Sequence, residues 1–247
     1  MIKILFSIFA FTVCCNLLLV KSAIIDNFIT ERDKEISINT PATIVGSKLA
    51  CTSLCLKDND CCFANYRDET KECILGTLDK CHAATKTAIG WLLLRKGKAY
   101  NNKVFFYLAD ALSWFDAQAY CNSFGMRLAT VGSSNENEFL KSVTNRLSGI
   151  WLGGSDLLTE GNWNWDKPSR KITYFDWGRV YFPQPDNLSS DPSDGDCLIY
   201  SPCDPYGTKY QWADQGCRIP YPFLCERIVR VDNGTWPVEF NKTIGST

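Results

Sequence analysis

Histidine is almost missing from this chain: His82 is the only one in 247 residues. It stands beside Cys81 in a cysteine-dense strip, so no Ser-His-Asp or Cys-His arrangement can be drawn, and hydrolysis by such a nucleophile is not expected. One histidine and no pair of closely spaced Cys-x-x-Cys motifs also argue against zinc as the reason for the cysteines. Neither charge dominates. The 26 basic residues nearly balance the 27 acidic ones, without a basic block or an acidic tail, which excludes a nucleic-acid footprint. Internal repeats and low-complexity stretches are lacking too. Beyond the N-terminal segment no run is apolar enough to span a membrane. Asp194 and Asp196 are a carboxylate pair that a glycosidase could use, but in a long polar loop solvated aspartates are the plainer reading. No enzyme is expected.

What the chain does hold is cysteine and aromatic residues: 13 Cys, 8 Trp, 10 Tyr and 14 Phe. Lys3 followed by the mostly apolar Ile4–Val20, with small residues near Ser22, reads as a signal peptide over residues 1–22. The rival reading is an uncleaved anchor, for which the run is short. Export suits the cysteines, since disulfides persist in oxidising compartments. Cys14 and Cys15 lie in the leader, which leaves an odd set of eleven out of 13. The cysteines form two groups, Cys51 to Cys81 and Cys121 to Cys225, and the chain is long enough for two domains. Gly90–Leu94 reads as a strand between them, and Arg95–Lys98 as a linker. A polar segment, residues 229–247, closes the chain and gives no lipid-anchor signal.

In the first module Ser47–Leu56 has helical character, with Cys51 and Cys55 on one face. Phe63–Tyr66 and Glu72–Leu75 read as short strands around a polar turn. In the second, Val104–Tyr107 reads as a strand. Ser113 caps a helix, with Asp116 three residues on and Gly125 as its stop. Ser133 caps a second helix, with Glu136 at the box position, a buried face of Phe139, Val143 and Leu147, and Gly149 as its end. Trp163 and Trp165 alternate as in a half-buried strand.

Two resemblances follow from these motifs. The cysteine text from Cys51 to Cys81 resembles the PAN/apple family, over residues 23–96. In that family a helix is stapled to a small sheet and the domain mostly binds proteins or sugars; a plain stapled spacer is the alternative. Its adjacent Cys61-Cys62 departs from the simplest pattern, and six cysteines leave the pairing open. The second resemblance is carried by the order and spacing of Arg127-Leu-Ala-Thr-Val131, Ile150-Trp-Leu-Gly-Gly154, Glu160-Gly-Asn-Trp-Asn-Trp165, Gln184-Pro185-Asp186, Asp196-Cys197, Trp212-Ala-Asp214, Cys217 and Phe223-Leu-Cys-Glu226. Residues 97–228 resemble a C-type lectin domain. Together the two imply an α+β protein: a small disulfide-rich PAN/apple-like domain, then two helices with mixed antiparallel sheets and a long ligand loop. The second resemblance also implies bridges Cys121–Cys225 and Cys197–Cys217. Cys203 is then left to stay free, to pair with the first module, or to link two chains as a dimer.

The C-type lectin resemblance implies a secreted, extracellular carbohydrate-binding protein, in recognition of microbial or self glycans. Its ligand residues are Gln184, Asp186 and Asp214, which would hold Ca2+ and a sugar together. Hard oxygens suit calcium, and a cis bond before Pro185 would aim both flanking side chains the same way. Gln-Pro-Asp in this family accompanies galactose or N-acetylgalactosamine. The set departs from the pattern at Gly195, where a glutamate is usual, and at Ala213, where an asparagine is usual; Asp194 is a displaced substitute. Asn187-Leu188-Ser189 stands where a stacking tryptophan often follows, and Tyr181 and Phe182 could stack instead. A second calcium position would draw on Asp156, Glu160 and Asp196, with Asn187 where an aspartate is usual. A solvated acidic turn is the plainer reading of Asp156 and Glu160. The alternative function is a calcium-independent lectin-like protein that binds protein partners, its sugar site degenerate.

Asn187, Asn233 and Asn241 head glycosylation sequons. A polar tail is expected to be accessible, whereas a glycan on Asn187 would crowd the ligand loop. Glycopeptide mapping of the secreted chain should find Asn233 and Asn241 occupied and Asn187 poorly occupied.

Overall fold

The computed structural model describes residues 27–144, 146, 148–179, 183–188, 195–202 and 210–229. The signal segment, Asn145, Leu147, Tyr181, Phe182, Asp194, Cys203, Asn233 and Asn241 lie outside the described residues, and with them the expectations placed there. The chain divides into two compact units. The described part of one is built on residues 27–81 and 87–97, and the other on residues 82–86 and 98–228. Among the described residues no helix is long and apolar enough to cross a membrane.

The first unit is a five-stranded sheet, ordered β1-β5-β3-β4-β2, with one helix against it. Its strands are β1 (Phe28–Glu35), β2 (Thr43–Ile44), β3 (Phe63–Arg67), β4 (Glu72–Gly76) and β5 (Lys86–Lys96). Helix α1 (Lys48–Lys57) starts at Ser47, whose hydroxyl accepts from the Ala50 N–H and satisfies one of the orphan donors of the first turn. The i, i+4 spacing of Cys51 and Cys55 aims both sulfurs at the core. Cys51 bonds to Cys73 on β4, and Cys55 to Cys61. The adjacent cysteines part company, for Cys62 bonds to Cys81. Lys96 closes the helix, donating to the carbonyls of Cys55 and Asp58 at 2.9 Å each, where a cation favours the helix dipole.

The linker expected at Arg95–Lys98 narrows to Gly97, after which the division between the two units falls. Arg95 and Lys96 belong to β5, and Arg95 is 4% exposed, paired with the buried carboxylate of Glu31. Composition suggested solvent, but a partner across the sheet makes burial of the charge tolerable.

The second unit has one mixed sheet, ordered β11-β10-β9-β14-β7-β6, with β12 and β13 branching from β9 and β8 from β14. Its strands are β6 (Lys98–Tyr100), β7 (Lys103–Leu112), β8 (Arg127–Leu128), β9 (Ile150–Ser155), β10 (Asn164–Trp165), β11 (Arg170–Lys171), β12 (Cys197–Pro202), β13 (Tyr210–Gln215) and β14 (Tyr221–Ile228). Strand β9 is buried on both faces, and its glycines permit close neighbours: a Cβ on Gly153 would stand 2.9 Å from the Leu128 carbonyl oxygen. Helix α2 (Trp114–Ser123) is capped by Ser113, whose hydroxyl accepts from Asp116 N–H. Cys121 on α2 bonds to Cys225 on β14, and Cys197 on β12 bonds to Cys217.

Helix α3 (Ser134–Ser142) begins at the expected cap, Ser133, but ends well before Gly149. Its buried residues are Glu136, Asn137, Leu140 and Lys141, while Phe139 and Val143 are only partly buried. Phe139 and Val143 do pack against the core, but the deepest positions go to polar side chains as well, because these have partners inside. Asn137 accepts from the Tyr200 hydroxyl at 2.6 Å and the Trp212 indole at 3.2 Å, and donates to Asp176. Lys141 meets the same Asp176 at 2.7 Å.

Glu226 on β14 is a buried acid, 1% exposed, with four partner groups. It is 2.6 Å from the Arg127 guanidinium and 3.1 Å from the Lys103 ammonium, and accepts from the Thr130 N–H and hydroxyl. Glu226→Ala strips Arg127 of its carboxylate, while Lys103 keeps Glu136 at 2.8 Å, and should cost about 3 kcal/mol, read as a lower midpoint in urea unfolding.

Candidate functional site

The ligand loops sit at one end of β9, β12 and β13. Strand β13 is fixed along its whole length by β12, with Leu198 opposite Asp214 and Ile199 opposite Ala213. Asp214 thereby gains a rigid base and is only 4% exposed. The segment before the loop is tied to the same strand: Gly178 N–H donates to the Trp212 carbonyl at 2.8 Å, and Gln184 N–H to the Gly178 carbonyl at 2.9 Å. The Gln184–Pro185 bond is cis.

Gln184, Asp186 and Asp214 are brought together, but mainly by binding one another. Gln184 Oε1 accepts from the Asp214 N–H at 3.2 Å, and Gln184 Nε2 donates to Asp186 Oδ2 at 2.8 Å. Asp186 Oδ1 accepts from the Leu188 N–H at 3.0 Å. The two oxygens of Asp214 accept from successive backbone groups, Asp186 N–H at 3.1 Å and Asn187 N–H at 2.6 Å. Burial pushes the Asp214 carboxyl above the usual carboxylate range, against the opposite pull of those two N–H groups.

Calcium takes six to eight oxygens. Here each candidate oxygen of the three side chains already holds a donor, and Gly195 and Ala213 add none. Room for the missing glutamate is also gone: a Cβ on Gly195 would stand 2.6 Å from Asp214 Oδ2 and 3.3 Å from the Asn187 Cα. The residues of this loop do not fit a calcium ion.

The second position is chemically different. Asp156 follows β9, and its backbone N–H reaches the Asp196 carbonyl at 3.1 Å. Its Oδ2 accepts from the Gly161 N–H at 2.8 Å, across a turn that Gly161 makes possible at φ +74°. Its Oδ1 is buried with no hydrogen-bond partner. Asp156 is 3% exposed, so the solvated turn expected here is corrected for this residue, though Glu160 is exposed. Burial, with the nearby charges of Glu160 and Asp196, raises the Asp156 carboxyl from 3.8 to about 6. A buried acid with an unused oxygen beside two more carboxylates has the donor chemistry a hard cation needs. Among the described residues, however, no three His, Cys, Asp or Glu side chains converge as a finished metal cage.

Asn187 joins the two positions, a role not read from the sequence. Its Nδ2 donates to Glu160 Oε2 at 3.2 Å and its Oδ1 accepts from the Gly195 N–H at 2.8 Å. Its φ of +52° is a conformation asparagine tolerates better than most residues, which is the one signal its identity offered. Phe175 was also overlooked. It is 44% exposed and stacks on Trp177, next to the glycine that anchors Gln184.

Residues 110–227 match the Lectin C-type domain family. The chain is 30% identical over 149 residues to the perlucin-like protein of Mytilus galloprovincialis, covering 58% of this chain and 84% of that one. It is 27% identical over 166 residues to C-type lectin domain family 4 member F of Mus musculus, covering 62% of this chain but only 28% of that one. Among solved structures, the mouse scavenger receptor C-type lectin carbohydrate-recognition domain aligns with a TM-score of 0.46 and 25% identity, over 54% of this chain and 96% of that one.

The raised Asp156 acid yields a pH dependence. Its folded value lies above the unfolded one, so the ionised form costs stability at neutral pH, and the cost fades as pH falls through about 6 toward 3.8. In chelator at about pH 7.5, Asp156→Asn should stabilise the chain by up to about 3 kcal/mol, and by far less near pH 4. Thermal melts of both proteins at the two pH values check this.

Proposed function

The chain belongs to the C-type lectin family, and we propose that it is a secreted, extracellular glycan-binding lectin. Its ligand face is Gln184–Leu188 with the loop Asp156–Gly161. The observation that carries this reading is the preformed loop itself, with Gln184, Asp186 and Asn187 held on a base of β13. Their partly exposed amides and carboxylate retain the donors and lone pairs that bind hydroxyls. Phe175 offers an apolar ring to the apolar face of a sugar. Gln-Pro-Asp favours galactose or N-acetylgalactosamine as the ligand, and recognition of microbial or self glycans as the biological setting.

Calcium belongs to this proposal at one position only. Asp156, with its unpartnered Oδ1, Glu160 and Asp196 would hold it. An ion there would supply positive charge to offset the buried carboxylate of Asp156. The first unit, stapled by Cys51–Cys73, Cys55–Cys61 and Cys62–Cys81, is proposed as a PAN/apple-like module that binds proteins or sugars alongside. A second reading, a calcium-independent binder of protein partners, is favoured by the hydrogen-bonded closure of the Gln-Pro-Asp loop.

A glycan array probed with the full chain, in calcium and in chelator, tests the reading. Galactose-terminated glycans should be retained in calcium, and Asp186→Ala should reduce their signal at least tenfold. An array blank under both conditions would overturn glycan binding and favour the protein-partner reading.

A further inference from the structure

In the loop Gln184–Leu188, the lectin family places a cation where this chain places hydrogen bonds. Asp214 stands on a strand pinned by β12, and its carboxylate receives two consecutive backbone N–H groups, one on each oxygen. Those N–H groups bring the positive end of a dipole to the carboxylate. A cation sharing the same oxygens would compete with them. The loop closes from its other side as well: Asn187 Oδ1 takes the Gly195 N–H at 2.8 Å. Gly195 is buried, and only a residue without a side chain leaves the Asp214 carboxylate its place, 2.6 Å from where a Cβ would stand. Asp214, Asn187 and Gly195 are thus one mutually dependent set, and the glycine that looks like a missing ligand is a requirement of that set.

We infer that the Asp214 carboxylate organises the Gln184–Leu188 loop in place of a metal ion, so that this loop holds its ligand-ready shape and captures ligand without calcium. The nature of the ligand rests on the glycan-binding reading; the organisation of the loop does not. Calcium at Asp156, Glu160 and Asp196 would reach this loop through the Asn187–Glu160 hydrogen bond and leave the two N–H groups on Asp214 in place. Reinstating the family's glutamate by Gly195→Glu would displace Asp214 instead of completing a cage.

Hydrogen exchange on the full chain, in calcium chloride and in EDTA, reads the loop directly. The Asp186 and Asn187 amides should be protected to the same degree, within about twofold, in both solutions. Asp214→Ala and Gly195→Ala should each lower that protection at least tenfold in both, while amides of Trp151 and Leu152 in β9 stay protected and report an intact fold. Should a variant lose the β9 protection too, the wild-type comparison decides alone. Protection that arises in the wild type only when calcium is added overturns the inference, and so does unchanged loop protection in an intact Asp214→Ala chain. Retained protection together with a blank glycan array supports the organisation of the loop by Asp214 and overturns the glycan reading separately.

Discussion

The second unit depends on strand β14, and on the carboxylate of Glu226 within it. β14 pairs with β7 and β8 antiparallel and with β9 parallel, so three directions of the sheet meet there. Cys225 ties this strand to α2, and one residue on Glu226 draws in Lys103 and Arg127 from the two flanking strands. A charge buried to 1% exposure is tolerable only because it has cations and a backbone N–H around it. With β14 fixed, β9 is fixed, and β12 and β13 follow from β9. The ligand loops inherit their positions from that chain of pairings.

Much of this was legible from short-range chemistry. Ser113 and Ser133 each stand as the helix cap, because a hydroxyl followed by free N–H groups is a local arrangement that needs no tertiary context. What escaped was burial of polar residues. Helix α3 presents Asn137 and Lys141 inward, and their partners Asp176, Tyr200 and Trp212 are far away in sequence, so periodicity of apolar residues found Phe139 and Val143 but not the polar positions buried more deeply. Arg95 failed in the same way, its partner Glu31 lying on another strand.

The candidate site divides along similar lines. The resemblance named Gln184, Asp186 and Asp214, and the fold does gather them. It could not say whether their oxygens would be open, since that depends on which backbone N–H groups the loop turns inward. Asp156 was the reverse case. Next to Leu157, Leu158 and Glu160 it resembled surface, yet a glycine turn folds over its carboxyl and leaves one oxygen unmatched.

The side chain of Asn187 narrows the sequences this loop can explore. Aspartate in its place would lose the amide that donates to Glu160 and set two negative charges face to face, in a region already holding Asp156, Asp186, Asp196 and Asp214. Glycine would keep the backbone turn at φ +52° but surrender the contact with Gly195. Lineages that drift from asparagine toward aspartate here would need further positive charge to arrive at the same time, so the charge of this one residue sets how much the surrounding acids demand.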